Sequence, residues 1–196
     1  TSQDAGTIGV TADTGGTATL NVIGSNTLTT TGSITAAVID ASGLTGTAIL
    51  DMGAAATSVT SIIGGAGNDD LRGDASSNID GGAGNDAITT GAVLATGSVD
   101  AGAGTADTLT VSASTHLATA ALGAKYTNFE VLGVTNAVSV DLDNISGITA
   151  IQITDGAGAT AVTDMSATQA AAVQVIAANG AMTASVKGAA TVGQLD

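Results

Sequence analysis

The chain has 196 residues and a formal net charge of −14, with seventeen acidic residues against three basic ones, aromatics at 1%, and neither cysteine nor proline. A nucleic-acid surface needs a basic face to meet phosphates, and Arg72, Lys125 and Lys187 are too few to build one. Without cysteine there is no disulfide framework or thiol chemistry, and no apolar run approaches the roughly 18 residues of a transmembrane helix.

What remains points to strands. Of the acids only Glu130 is a glutamate, and aspartate favours turns and short-reach oxygen ligation where glutamate favours helices. A mean hydropathy of +0.43 argues against disorder. With 28 glycines and almost no aromatic side chains, a thick core is out of reach, but thin stacked coils are not. Absent proline suits a backbone whose N–H groups nearly all donate to a ladder.

In chain order, residues 1–60 predict short strands rich in Thr, Val and Ile and bounded by Gly, Asn and Asp: Ala18–Ile23, Ser33–Ile39, Ala48–Asp51 and Ser58–Ile63. Residues 62–111 then repeat one spelling. Gly64-Gly65-Ala66-Gly67-Asn68-Asp69-Asp70-Leu71-Arg72 returns as Gly81-Gly82-Ala83-Gly84-Asn85-Asp86-Ala87-Ile88-Thr89, and both fit G-G-x-G-x-D-x-U-x with U a large apolar residue. A third copy, Ala101-Gly102-Ala103-Gly104-Thr105-Ala106-Asp107-Thr108-Leu109, has Ala for the first Gly and one inserted residue. Between the two full copies, Gly73–Asp80 reads as a degenerate turn at the opposite edge of the same coil.

This spelling predicts the calcium-binding turns of a parallel β-roll. Glycines let the backbone turn tightly and aim carbonyl oxygens inward, the aspartate supplies a carboxylate, and U begins a strand whose side chain is buried. Stacked coils lie ~4.8 Å apart, so one Ca²⁺ can sit between consecutive turns and gather oxygens from both. Asp69 and Asp86 are the expected ligands, with Asp107 a third. Asp80 and Asp100 precede their glycine turns and read equally as ligands or as solvated turn residues. The carbonyls of Gly65, Asn68, Gly82 and Asn85 are candidate further donors. The plain alternative is that the aspartates bond only their own turns.

Beyond residue 111 the calcium spelling fades while the strand rhythm continues through Phe129–Val134, Val138–Leu142, Ala150–Thr154, Val173–Ala177 and Thr183–Val186. His116–Ala124 reads as a loop or a short Ala-rich helix, and Thr168–Asn179 as helix or strand, with Gly180 in a C-cap position. His116, the only histidine, has neither a G-x-S-x-G elbow nor a zinc-spaced cluster beside it, so it is expected on a surface loop, and no catalytic site is expected. Tyr126 and Phe129 are expected to plug the thin core. The fold expected is all-β, a right-handed parallel β-roll or β-helix, as one continuous solenoid over 1–196 with the calcium-binding region at 62–111.

Together these features resemble the RTX-type bacterial surface-layer (S-layer) proteins. The resemblance is specific over 62–111 and extends into Asn128-Phe129-Glu130-Val131-Leu132, since an Asn/Gly-Phe-Glu-x-Leu segment often follows the repeats in that family. It implies export by type I secretion, folding outside the cell on calcium, and self-association into a two-dimensional lattice on the bacterial surface. The stretch is then expected to be a piece of a longer protein, with any anchor to cell-surface lipopolysaccharide elsewhere. Two rivals share the motif: an RTX module attached to a secreted enzyme, and a module of a large RTX adhesin.

Overall fold

The computed structural model describes residues 18–30, 36–51, 59–91, 94–135, 138–154, 160–177, 181–188 and 193–195, with 51 and 193–195 described by backbone. The chain is nearly all-β and divides into two compact units, Thr1–Asp107 and Thr108–Asp196.

In the first unit the strands alternate between two parallel sheets. They are β1 (Thr19–Gly24), β2 (Leu28–Thr29), β3 (Val38–Leu44), β4 (Ala48–Asp51), β5 (Ser61–Ile63), β6 (Asp70–Gly73), β7 (Asn78–Asp80), β8 (Ala87–Thr90) and β9 (Val99–Asp100). The odd-numbered strands form one sheet and the even-numbered the other, so each consecutive pair is one coil of a β-solenoid. Apart from a shift between β1 and β3 at Asn21/Ile23, the register is regular, which sets like residues in columns. Ile39, Ile62, Ile79 and Val99 stack in one sheet and Leu50, Leu71 and Ile88 in the other, all buried. Leu71 and Ile88 are the large apolar residues of the nonapeptides. Each such burial is worth about 1.5–3 kcal/mol, so Leu71→Ala should cost about 2–5 kcal/mol. The degenerate stretch after Gly73 forms the turn joining β6 to β7, the opposite edge of the coil, as expected.

The second unit is built likewise. It contains β10 (Thr108–Val111), a 3₁₀ turn at Ser114–Leu117, α1 (Ala120–Gly123), β11 (Tyr126–Thr127), β12 (Val131–Val134), β13 (Ser139–Asp141), a 3₁₀ turn at Leu142–Asn144, β14 (Ala150–Thr154), β15 (Thr160–Met165), α2 (Ala167–Ala171), β16 (Val173–Ala177), β17 (Met182–Val186) and β18 (Gly193–Leu195). Strands β10, β12, β14 and β16 are parallel neighbours, with Leu109, Leu132 and Ile151 stacked and fully buried. A second sheet runs β13-β15-β17 in parallel, and β18 closes it antiparallel to β17.

Several elements differ from the sequence reading. The strand expected at Ser33–Ile39 runs instead from Val38 to Leu44, and residues 31–35 lie outside those described. Strand β15 was not foreseen; Asp164 within it has φ of 58°, a turn-like conformation that breaks the strand signature. The segment expected as helix or strand is helix up to Ala171 and strand over Val173–Ala177. Ser166 caps α2 through a reciprocal pair, its Oγ accepting from Gln169 N at 3.2 Å while its own N–H donates to Gln169 Oε1 at 2.7 Å. The chain then turns into β16, and residues 178–180, with the expected Gly180 cap, lie outside those described. Tyr126 and Phe129 are both buried, as expected of plugs in a thin core.

Candidate metal centre

The three nonapeptide aspartates point into the first unit. Asp69, Asp86 and Asp107 are 2%, 1% and 0% exposed, far from the usual state of a carboxylate. They stand in one column along the coil edge. Asp69 Oδ1 accepts the N–H of Ala48 at 2.7 Å, Asp86 Oδ1 accepts that of Asp69 at 2.7 Å, and Asp107 Oδ1 accepts that of Asp86 at 2.6 Å. The glycines make room for this. A Cβ on Gly81 would collide with Asp86 Oδ2 and the Ala101 carbonyl oxygen, and one on Gly64 with Asp69 Oδ2 and the Gly81 carbonyl oxygen. Carboxylate and carbonyl oxygens thus converge beside each first glycine. Those carbonyls, Gly81 and Ala101, were missed in the sequence; the signal available was the position of the first Gly in each motif, which Ala101 occupies in the third copy.

The two full copies are spelled alike but bonded differently. In the first, Gly65 N–H donates to Asp69 Oδ2 at 2.6 Å, so both carboxylate oxygens are satisfied. In the second, Gly82 has φ of +96° and its N–H donates to Asp80 Oδ1 at 3.1 Å. Asp86 Oδ2 is left buried without a hydrogen-bond partner. The third copy repeats the second pattern at its entry: Gly102 has φ of +90° and donates to Asp100 Oδ1 at 3.0 Å. Asp80 and Asp100 are exposed, in register with each other, and cap their own turns.

The inserted residue of the third copy does not displace Asp107. Thr105 and Ala106 both direct their N–H groups to Asn85 Oδ1, at 3.0 and 3.3 Å, which absorbs the extra residue before Asp107 rejoins the column. One coil earlier Asn85 N–H donates to Asn68 Oδ1 at 2.8 Å. The two asparagines are exposed rungs of this edge. The carbonyl oxygens of Gly65 and Gly82 accept from Ala83 and Ala103 N–H.

Electrostatically the column is unbalanced. Burial pushes the Asp86 carboxyl up to about 7; the charges of Asp69, Asp107 and Asp80 push the same way, against the N–H of Asp69. Among the described residues no three acidic or imidazole side chains gather around one point. A cation here would therefore draw on one or two carboxylates of the column together with backbone carbonyls, an all-oxygen donor set of the kind a hard ion such as Ca²⁺ takes. Asp86, with an unsatisfied buried oxygen, fits that demand best.

Other acids are engaged locally. Asp74 Oδ1 accepts from Ser76 N and Oγ and from Ser77 Oγ, which closes its own turn. Asp40 does the same with Ser42, and those bonds hold its carboxyl below the usual range. Asp141 caps the second 3₁₀ turn through Asp143 N–H, while Asp143 pairs with Lys187 at 2.7 Å on an exposed surface, where such a pair is worth little. Asp155 lies outside the described residues.

His116 corrects the sequence reading: it is 2% exposed, not on a surface loop. The 3₁₀ turn at Ser114–Leu117 rolls it inward beside Leu117, and burial lowers its pKa. The mixed polar sequence Ser112–Ala118 has no hydrophobic period that could reveal this. Among the described residues no helix is long and apolar enough to cross a membrane.

A parallel β-solenoid with an inward column of carboxylates is the class that the fold and site define. No protein-family model, curated protein or solved structure matches the chain.

Proposed function

We propose that this chain is a calcium-stapled β-solenoid that serves as a structural, self-assembling segment of a surface-layer lattice on the outside of a bacterium. One observation carries the calcium reading: three buried aspartates in one column, the central one with an oxygen that nothing in the protein satisfies. A buried carboxylate with an unsatisfied oxygen costs several kcal/mol, so a fold that stacks three buried aspartates and leaves Asp86 Oδ2 unsatisfied has reason to include a cation. Asp86 would hold it, together with the Ala101 carbonyl that meets its Oδ2 beside Gly81. Bound there, Ca²⁺ supplies positive charge and tolerates the irregular, 6–8 oxygen coordination of a turn. The protein contributes the rest: glycines that let carbonyl and carboxylate meet, and stacked strands that hold successive turns at one spacing.

The lattice assignment rests on the resemblance of 62–111 to RTX-type surface-layer proteins and on the charge of −14, which keeps copies apart until cations neutralise it. Screening within roughly 8 Å at physiological salt cannot by itself order the turns, so assembly should follow calcium occupancy. Electron microscopy of the protein with calcium, with magnesium and with chelator tests this. Ordered sheets with calcium alone support it; dispersed particles under all three conditions reject the lattice reading in favour of a module serving a secreted enzyme or an adhesin.

A further inference from the structure

From the contrast between the two full copies, we infer that the residue preceding the glycine pair decides whether a turn binds calcium: Asp80 opens the Asp86 site, and Ile63 closes the one at Asp69. This rests on the calcium reading above and deepens it. Ile63 and Asp80 are register partners in β5 and β7, so they occupy the same place in successive coils. Ile63 offers no acceptor, and Gly65 N–H turns inward to Asp69 Oδ2 at 2.6 Å. Asp80 offers Oδ1, and Gly82 N–H turns outward to it at 3.1 Å, with the glycine at φ of +96°, open to glycine and strained for other residues. The inward donor is thereby withdrawn, and Asp86 Oδ2 stays buried and unsatisfied at the side of Gly81 where the Ala101 carbonyl also points. At Asp69 the Gly65 N–H points its positive end at Oδ2, on the side a cation would approach, whereas no N–H opposes a cation at Asp86 Oδ2. Asp80 is thus a positioning residue. It acts on calcium through Gly82 and does not need to touch the ion.

Hydrogen bonding and charge at residue 80 can be separated by substitution. Calcium is titrated calorimetrically into the full chain, parent and variants, with circular dichroism recorded on each. Asp80→Asn keeps the Oδ1 acceptor and loses the charge; Asp80→Ala loses both. Asp80→Ala should weaken calcium binding roughly tenfold or more, the usual range for an orienting partner outside the ligand set, while Asp80→Asn stays close to the parent. Ile63→Asp should add one calcium per chain by freeing Asp69 Oδ2. If Asp80→Asn weakens binding as much as Asp80→Ala, Asp80 acts by charge or as a ligand, and the inference is overturned. Should Asp80→Ala lose its β signal, Ile63→Asp decides: a gained site upholds the inference and an unchanged stoichiometry refutes it. A parent that takes up no calcium instead sinks the calcium reading itself.

Discussion

Asp69 donates its main-chain N–H to Oδ1 of Asp86 at 2.7 Å, so one buried carboxylate is the hydrogen-bond acceptor for the residue that bears the next. The chain thereby ties carboxylates of successive coils together with its own backbone. That bond partly offsets the repulsion, but it satisfies only one oxygen of Asp86.

Calcium should therefore stabilise the folded chain. A ligand that binds only the native state adds ~2.7 kcal/mol per site at a hundredfold excess over Kd. For a chain of this size that raises the melting temperature by roughly 2–4 °C per kcal/mol. Thermal melts by circular dichroism, with calcium and with chelator after metal analysis, should differ by several degrees; superimposed curves would count against the site.

Asp69→Asn and Asp86→Asn should act with opposite signs in chelator. Both Asp69 oxygens accept N–H groups, so an amide there sets donor against donor and costs about 1–3 kcal/mol. Asn at 86 keeps Oδ1 for the Asp69 N–H and removes a buried charge with an unsatisfied oxygen. Its calcium-free fold should melt at or above the parent, while its response to calcium falls. Equal destabilisation by both substitutions would remove the distinction between the copies.

The pH dependence of the calcium-free protein should run against habit. Burial raises Asp86 from 3.8 to about 7, so the folded state penalises its ionised form. An acid whose folded value lies above its unfolded one contributes a penalty that is full above the folded value and vanishes below the unfolded one. Stability should thus increase as pH falls from ~8 toward ~5. The Asp86→Asn variant should lack this gain, and parallel pH profiles for parent and variant would be inconsistent with it.

His116 should oppose that trend in the second unit. Burial lowers its pKa from 6.5, so the fold favours the neutral ring and loses stability as pH drops below the unfolded value. Tyr126, the only tyrosine in a chain without tryptophan, is buried in that unit and reports on it by fluorescence. Acid should lower the Tyr126-detected melting point, and His116→Leu should flatten the dependence. A parent profile as flat as that of the variant would show that the ring does not titrate there.

The β-solenoid was legible because its evidence is local and repeated. Glycine spacing, aspartate at the sixth motif position, and Leu71 or Ile88 two residues later all recur within one coil length, and Ala48–Asp51, Ala150–Thr154 and Val173–Ala177 appear as strands with the bounds expected. What the sequence concealed depends on neighbours distant in the chain. Identical spelling makes Asp69 and Asp86 look equivalent, yet the partners of their oxygens come from the coil before and from the residue ahead of the glycines, Ile63 or Asp80. His116 likewise has no periodic signal, because its burial comes from a single 3₁₀ turn. By itself the sequence determined the stacked-coil class and which aspartates line the turn. Only the tertiary structure decided that Asp86 keeps an unsatisfied oxygen, since a main-chain N–H turned outward to Asp80 is withdrawn from Asp86 Oδ2 and that choice depends on neighbours in the folded coil.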